Sequence, residues 1–308
     1  NLKYIQIVIM TAGILYLAFN KEIFKIYPNI TLLQTGENLG YAGGNNVGIQ
    51  WAIEHSADYI LLLNNDTIVA PDLLTAFIRA SNTLPPESVL GAKIYYFDEP
   101  DLIWYAGGHW RGYAEGFEHV GMWQKDFDDF NRQIKTDYIT GCVLFAKAST
   151  FVNVGLLNED YFLIYEETDW CYRARAKGSE CYVIPDAHVW HKVSVSFGGQ
   201  YSPVRAYFMA RNKCLWAKRN LTSLSPFLLH INIFFDFTRI IFPKFYLSQN
   251  DNSMFKSFYW SLVSWMKQLR NNLSSPLKKA KFMGYYVFYR GRLGNITDPV
   301  NSFIKIKK

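Results

Sequence analysis

Residues 58–74, DYILLLNNDTIVAPDLL, contain a strand, an acidic turn and the start of a helix in direct succession. The apolar run Asp58–Leu63 is short and continuous, which is typical of a strand buried on both faces. It stops at Asn64–Asp66, and Pro71 then favours the first turn of a helix. Since α/β sheets bind ligands beyond the carboxyl ends of their strands, this acidic turn is a candidate ligand site.

The neighbouring segments extend this alternation of strands and helices. Upstream, Asn29–Gln34 predicts a strand, and Gly36–Asn46 predicts a Gly/Asn-rich turn before a helix. Downstream, three further apolar runs predict strands, at Val89–Tyr96, Leu102–Tyr105 and Tyr138–Ala146. We therefore expect an α/β fold with a central, mostly parallel sheet.

A second acidic segment follows an apolar run, with three carboxylates within four residues at Glu166, Glu167 and Asp169. Crowded carboxylates cost free energy unless they hold a cation, a proton in transit or a polar substrate. Glu167 begins a predicted helix, and a neighbouring carboxylate raises its proton affinity, which suits a general base. Asp169 has a structural alternative, because it can cap this helix and pair with Arg173 one turn later.

Asp66 and His191 are the candidate metal ligands. Asp66, with Asn64 two residues before it, suits a hard divalent cation that also binds substrate phosphates, or it caps the following segment. His191 ends a predicted strand, bent at Pro185, and a neutral imidazole there can bind a metal. A single histidine at a strand end is nevertheless more often structural. The Gly43-Gly44 pair before a helix exposes backbone N–H groups that can bind phosphate.

Composition divides the chain into two parts, residues 1–200 and 201–308. The second part has 18 Lys/Arg and 3 Asp/Glu, whereas the first has 14 and 23. A basic, aromatic second part predicts a negatively charged partner surface. The four cysteines lack metal-ligand spacing, which indicates buried, reduced thiols. We expect no nucleic-acid partner, because the sequence contains no recognised nucleic-acid motif.

Two apolar segments could be associated with a membrane. Tyr4–Phe19 is shorter than the roughly 20 residues that a span needs, and it predicts a buried strand followed by a helix start. Pro226–Leu247 is longer, but Asp236 and Arg239 near its centre argue against a simple span. Aromatic and basic helices favour peripheral or monotopic attachment to anionic lipids. The alternative is an ordinary helical subdomain packed on the first domain.

Five segments occur in a characteristic order: ENLGYAGGNNVGI (37–49), ADYILLLNNDT (57–67), YITGCVLFAKASTFVNVGLLNEDYFLIYEETDWCYRARAKG (138–178), VIPDAHVWHKVSVSFGG (183–199) and YFMARN (207–212). Together they closely resemble the family 2 glycosyltransferases, and within them the rhamnosyltransferase-like enzymes of bacterial polysaccharide assembly. The resemblance implies a GT-A fold, a nucleotide-sugar-binding α/β sandwich over residues 1–200. From their basic and aromatic composition, residues 201–308 are expected to form a helical, membrane-associating region after this domain.

The resemblance also implies roles for individual residues. Asp66 would bind Mg²⁺ or Mn²⁺ that bridges the donor diphosphate, and His191 would complete the metal site. Glu167 would be the base on the acceptor hydroxyl, with Glu166 and Asp169 orienting the acceptor or the base. The remaining matched positions would contact the nucleotide diphosphate or its metal: Gly43, Gly44, Asn45, Asn64 and Asn65.

The N-terminal segment departs from the family pattern. The family's opening strand and its acid-rich second strand, which holds the nucleotide base and ribose, have no counterpart in Tyr4–Phe19. We therefore expect N-terminal strands that are truncated or altered, and a shifted reading frame near Met10 is one hypothesis. Such a chain would have an incomplete nucleotide pocket and weak or no activity.

The resemblance thus implies an inverting glycosyltransferase of bacterial cell-surface polysaccharide synthesis. It would move a sugar from a nucleotide-sugar donor to a hydroxyl of a glycan or polyprenyl-linked saccharide. dTDP-rhamnose is the expected donor, and a UDP- or GDP-sugar is the same-fold alternative. The rival from another class is an inactive remnant that binds carbohydrate as a membrane-bound scaffold. The expected location is the cytoplasmic face of the inner membrane.

Overall fold

The chain divides into two compact units, residues 1–195 and 196–308, which are described separately. The computed structural model describes residues 5–10, 30–112, 116–193, 202–221, 225–241 and 254–294. The first unit contains β1 (Ile5–Met10), α1 (Gly40–Glu54), β2 (Tyr59–Asn64), β3 (Thr67–Val69), α2 (Leu73–Thr83), β4 (Val89–Tyr96), β5 (Ile103–Tyr105), β6 (Gly108–Trp110), β7 (Phe117–His119), β8 (Ile134–Thr136), β9 (Val143–Lys147), α3 (Ala148–Val154), α4 (Glu166–Ala176) and β10 (Cys181–His191). The second contains α5 (Pro203–Asn220), α6 (Ser225–Ile241), α7 (Met254–Ser274) and α8 (Pro276–Tyr289).

The main sheet of the first unit confirms the α/β class but is mixed. Its described strands lie in the order β1-β2-β9-β4-β10-β3, with β5 paired to β4 and β8 to β10. Only β1–β2 and β4–β10 are parallel, so the prediction of a mostly parallel sheet is wrong. The reason is that β9 runs antiparallel between β2 and β4. The chain reaches β9 from β4 without the helical crossover that a parallel connection requires.

The central strands form the hydrophobic core. Every residue of β4 is buried, and so are the first four residues of both β2 and β9. Aromatic rings of Tyr59, Phe77 and Phe145 stack at centroid distances of 5.0 and 4.9 Å and join α2 to the sheet. The four cysteines are buried, which confirms this part of their prediction.

Two predicted features at the N-terminal side have different outcomes. The strand predicted in Tyr4–Phe19 is present as β1, which pairs with β2 at the end of the sheet. The helix start predicted after it lies outside the described residues. The strand predicted at Asn29–Gln34 is wrong over residues 30–34, which form no regular element and are exposed. They have no ladder partner among the described strands, and apolar composition alone does not make a strand.

The bend predicted at Pro185 in the last strand is present. Strand β10 pairs with β4 from Cys181 to Ile184, and the register then shifts before His188. Beyond the bend, His191 lies beside Tyr96 of β4 and Thr67 of β3. The bend therefore carries the end of β10 to the acidic turn that follows β2.

The second unit is helical, as the sequence predicts after residue 201. Helix α5 packs closely on α8, where a Cβ at Gly284 would lie 2.4 Å from the Tyr207 carbonyl oxygen. Arg211 of α5 is fully buried and donates to the Gly294 carbonyl oxygen at 2.8 Å. In the described parts of the chain, no helix is both long enough and apolar enough to cross a membrane.

Candidate active site

The acidic turn after β2 and the end of β10 meet at one point. Asp66 Oδ1 lies 3.2 Å from His191 Nε2. The backbone fixes this approach, because the Lys192 N–H donates to the Asp66 carbonyl oxygen at 2.9 Å. The structure thus brings together two residues that are 125 positions apart and that the sequence predicts as partners.

His191 is buried against aromatic side chains. Trp104 of β5 meets its ring edge-on, with centroids 4.7 Å apart and planes at 70°. Trp104 also contacts His119 at 4.7 Å, which extends the aromatic wall toward Tyr138. The Nδ1 atom of His191 has no hydrogen-bond partner among the described residues, so packing orients the ring. Sequence analysis missed Trp104, because no local pattern marks a residue 87 positions from its histidine.

Asp66 and His191 fit a divalent cation in chemistry and spacing. A carboxylate oxygen and an imidazole nitrogen that bind one ion at about 2.1 Å and at roughly right angles are about 3 Å apart. The observed separation of 3.2 Å agrees with this value. No cluster of three or more His, Cys, Asp or Glu residues suited to a metal occurs in the described segments. The two residues thus suit an ion whose other ligands come from substrate phosphates and water.

Helix α4 begins with two neighbouring carboxylates, of which Glu166 is buried and Glu167 is half-buried. Each has an Oε2 atom that is buried and lacks a hydrogen-bond partner within the described structure. Burial, and then the charge of Glu167, raise the pKa of Glu166 well above its ordinary value. Burial also raises the pKa of Glu167, although backbone hydrogen bonds at the helix start oppose the rise. Such a pair holds and releases a proton closer to neutrality than an exposed glutamate does.

The backbone before α4 is strained. Phe162, Ile164 and Tyr165 have φ values of 63°, 69° and 81°, in the left-handed region that side chains disfavour. Each such residue costs on the order of 1–3 kcal/mol, and strain of this kind concentrates at functional sites. The strained segment ends at the N-cap of α4 and therefore sets the direction in which Glu166 and Glu167 point.

Residues 141–142 link the carboxylate pair to the acidic turn after β2. The Cys142 carbonyl oxygen accepts from the Asn64 N–H at 3.0 Å, and Asp66 adds to the rise in the pKa of the buried Cys142 thiol. The neighbouring Gly141 hydrogen-bonds Glu167 through its backbone, and its carbonyl oxygen accepts from the Tyr41 hydroxyl. Both halves of the site are thus attached to residues 141–142.

Tyr41 completes this link and was also missed by sequence analysis. A Cβ at Gly141 would lie 2.6 Å from the Tyr41 hydroxyl, so only glycine allows this approach. After burial, the charges of Glu166 and Glu167 are the main causes of the raised Tyr41 pKa, which shows that its ring lies near the pair. The predicted turn around Gly43 could have suggested Tyr41 only by its position in the same motif.

Asp169 supports helix α4. Its Oδ1 accepts from the Tyr161 hydroxyl at 3.0 Å, and its Oδ2 accepts from Arg173 Nε at 2.9 Å. Arg173 also donates to the carbonyl oxygens of Val154 and Leu156. The structure therefore contains the pairing with Arg173 that the sequence offers as the structural alternative. Asp169 acts on the helix that carries Glu167, and a role in orienting the base stays a prediction.

The glycine-rich segment is helical rather than a turn. The prediction of a turn over Gly36–Asn46 is wrong beyond its first residues, because α1 begins at Gly40 and includes Gly43, Gly44 and Asn45. The glycines allow close packing, since a Cβ at Gly43 would lie 2.7 Å from the Leu39 Cβ. Asn45 is buried and donates to the Tyr41 carbonyl oxygen at 2.8 Å. Contact of these residues with a diphosphate stays a prediction.

Asn64 and Asn65 take different positions beside Asp66. Asn64 ends β2, and its carbonyl oxygen accepts from the Thr67 hydroxyl at 2.7 Å. Asn65 lies exposed in the turn. The residue opposite Asn64 on β1 is Met10, where the sequence lacks the family's acids. The segment 11–29, which would carry the rest of the predicted nucleotide half, lies outside the described residues.

The chain resembles known glycosyltransferases in sequence. Residues 16–150 match the family model "Glycosyl transferase family 2". The chain is 25% identical to the dTDP-rhamnosyl transferase RfbF of Shigella flexneri over 65% of its length and 67% of the relative's. It is 26% identical to an N-acetylglucosaminyl-diphospho-decaprenol L-rhamnosyltransferase of Mycobacterium tuberculosis over 56% of its length and 62% of the relative's. The chain thus spans about two thirds of these curated relatives.

Solved structures give a weaker likeness. A crystal structure of GalNAc-T7 with UDP, GalNAc and Mn²⁺ has a TM-score of 0.49 at 13% identity, over 75% of this chain and 51% of that one. The mannosyltransferase PcManGT from Pyrobaculum calidifontis, in complex with GDP-Man and Mn²⁺, scores 0.46 at 12% identity over 92% and 76%. Both scores are below 0.5, so the similarity to glycosyltransferases is taken from the family match and the curated relatives. Over residues 16–150 the chain is thus similar to glycosyltransferase family 2, and two of its curated relatives are rhamnosyltransferases.

Proposed function

We propose that the chain transfers a sugar from a nucleotide-sugar donor to an acceptor hydroxyl at the site formed by Asp66, His191 and Glu167. The observation that carries this proposal is the 3.2 Å approach of Asp66 Oδ1 to His191 Nε2, linked through residues 141–142 to the carboxylate pair Glu166 and Glu167, whose pKa values are raised. One ligand pair for an ion and one group with a raised proton affinity are what such a transfer requires.

The donor side would be held by Asp66 and His191 through Mg²⁺ or Mn²⁺. The ion, when bound, would stabilise the negative charge that develops on the departing nucleoside diphosphate. We propose dTDP-rhamnose as the donor, because two relatives are a dTDP-rhamnosyl transferase and an L-rhamnosyltransferase. A UDP- or GDP-sugar is the same-fold alternative.

The acceptor side would use the Glu167 carboxylate as the base. The acceptor oxygen forms its bond to the anomeric carbon while the bond from that carbon to the diphosphate oxygen breaks. The hydroxyl proton passes to Glu167, and the electron pair of the broken bond leaves with the nucleoside diphosphate. Attack opposite to the leaving group inverts the anomeric centre, and no covalent sugar–enzyme intermediate is needed.

The acceptor would be a glycan or a polyprenyl-linked saccharide. Support comes from the Mycobacterium tuberculosis relative, whose name specifies an N-acetylglucosaminyl-diphospho-decaprenol. The contact of Trp104 with His191 places an aromatic wall beside the site, and aromatic faces commonly bind the apolar faces of sugars.

The test measures release of nucleoside diphosphate, with Mn²⁺ present, from dTDP-rhamnose, UDP-glucose and GDP-mannose in turn. We expect release from one donor by the wild type, and a loss of at least about a hundredfold in Glu167→Gln and Asp66→Asn. Glu54→Gln, at the exposed end of α1, is the matched control and should keep full activity. Equal release by all four proteins would contradict the assignment, and donor binding without turnover would favour the carbohydrate-binding remnant.

A further inference from the structure

Helix α6 has an aromatic face that points away from the other helices of its unit. On its inner side, Asp236 accepts from the Tyr285 hydroxyl and pairs with Lys281 Nζ of α8, both at 2.7 Å. On the opposite side of the helical turn, Phe227 and Phe234 are 65% and 62% exposed. The polar pair that argues against a simple span thus lies inside the unit, and the aromatic face is left outside.

Helix α7 repeats this arrangement between Phe258 and Leu273. Exposed apolar side chains recur at helical spacing and form one stripe: Phe258, Leu262, Met266 and Leu273. The other side of the helix carries the polar residues Ser264, Gln268 and Asn271 together with Trp260, and all four are exposed. In a soluble helix, the apolar stripe normally faces the core, so an exposed stripe indicates a partner surface.

The charge of the unit identifies the kind of surface. Asp236 is the only acidic residue in its described segments, and Lys281 neutralises it. Lys267 and Arg270 are exposed on α7, and Arg290 follows α8. Aromatic and basic side chains together are typical of helices that lie in the interface of an anionic membrane. A second copy of this chain would instead bring like charges together.

A groove between α7 and α8 adds space for a lipid. It has a volume of about 320 Å³ and is lined by Asn272, Leu273, Lys279, Phe282, Met283 and Tyr286. Its walls are mainly apolar, and the exposed Lys279 provides a cation at the groove. This combination suits an acyl chain whose phosphate headgroup remains in water.

We propose that the exposed faces of α6 and α7 bind the surface of a membrane rich in anionic phospholipid. Phe227 and Phe234 of α6 and the stripe of α7 enter the interface, while Lys267 and Arg270 contact lipid phosphates. In a bacterium, the surface in question would be the cytoplasmic face of the inner membrane. The proposal is independent of sugar transfer, because it concerns the second unit alone and is tested without a donor.

The test is sedimentation of the full chain with phosphatidylglycerol–phosphatidylcholine vesicles and with pure phosphatidylcholine vesicles. We expect binding to the anionic vesicles that is more than about tenfold tighter, and that weakens as salt is added. Phe234→Ser should weaken binding about tenfold, since it removes one of the aromatic rings that would be buried in the lipid interface. Val152→Ser, which removes a 64% exposed apolar residue of the first unit, is the matched control and should bind like the wild type.

A second variant tests the contribution of positive charge to vesicle binding without disturbing the fold. Lys267→Gln with Arg270→Gln alters only exposed side chains and should remove most of the preference for anionic vesicles. Equal binding to both vesicle types, or binding unaffected by either variant, would overturn the proposal. So would a dimer in sedimentation equilibrium that Phe234→Ser dissociates, because a second copy would then occupy these faces.

Discussion

Glu166→Gln should stabilise the folded chain at neutral pH and should do so less as the pH falls. Burial and the charge of Glu167 raise the pKa of Glu166 well above its ordinary value. A raised pKa means that the folded state binds the proton more tightly than the unfolded state. Stability from this group is therefore fully present below the unfolded pKa, about 4.3, and is lost as the pH rises through the folded pKa.

The size of the effect follows from the linkage of proton binding to folding. Each pH unit between the unfolded and folded pKa values costs the wild type about 1.4 kcal/mol of unfolding free energy. Glutamine resembles the neutral carboxylic acid in shape but binds no proton, so the variant avoids this cost. Between pH 5 and pH 7 the advantage of the variant should therefore grow by up to about 3 kcal/mol.

Urea unfolding at a series of pH values measures this difference. Wild type, Glu166→Gln and the exposed-site control Glu54→Gln are compared. As the pH rises, only Glu166→Gln should become more stable relative to the wild type. A difference that is constant with pH, or that shrinks as the pH rises, would refute a buried, proton-binding Glu166.

Three further predictions concern the same site. Because burial raises the pKa of Glu167, the acid limb of a kcat/KM profile should lie above that of an exposed glutamate; a limb near pH 4 would contradict its role as the base. Asp169→Asn weakens the bond to Arg173, so urea unfolding should show a loss of about 1–3 kcal/mol, and no loss would count against the helix support. Trp104→Ala removes the ring that orients His191, so Mn²⁺ binding measured by calorimetry should weaken at least about tenfold. Trp104→Phe keeps an aromatic ring and should largely keep the affinity. Unchanged affinity in Trp104→Ala would exclude this role for Trp104.

The sequence predicts the elements that are buried on both faces. The run Asp58–Leu63 matches β2 to within one residue at each end, because such a strand needs continuous apolar side chains. Val89–Tyr96 matches β4 for the same reason. The direction of β9 could not be predicted, because no local pattern distinguishes a parallel strand from an antiparallel one. Its direction depends on how residues 97–142 return the chain to the sheet.

Glycine composition is ambiguous in a way that local sequence does not resolve. The Gly43-Gly44 pair suggests a loop, but it lies within α1, where Gly43 packs closely against Leu39. Whether glycine serves a turn or a close approach depends on what packs against it. At Gly40, the first residue of α1, the neighbour is Phe162, which is more than 100 positions along the chain. The Phe162 carbonyl oxygen would lie 2.3 Å from a Cβ at Gly40.

The charged residues of the candidate site could be predicted, whereas the aromatic residues that support them could not. Acids at strand ends and at a helix start carry a free-energy cost that marks them, as at Asp66 and Glu167. Arg173 could be found as the partner of Asp169 from helical spacing alone. Trp104 and Tyr41 are ordinary aromatic residues in sequence, and only tertiary structure brings them to the site.

The most direct test is a single-turnover measurement of rhamnose transfer from dTDP-rhamnose with Mn²⁺, together with the donor dissociation constant, in wild type and Glu167→Gln. A base that acts on the acceptor predicts that Glu167→Gln slows transfer by at least about a hundredfold while donor affinity stays the same. Transfer at the wild-type rate in Glu167→Gln would contradict the account.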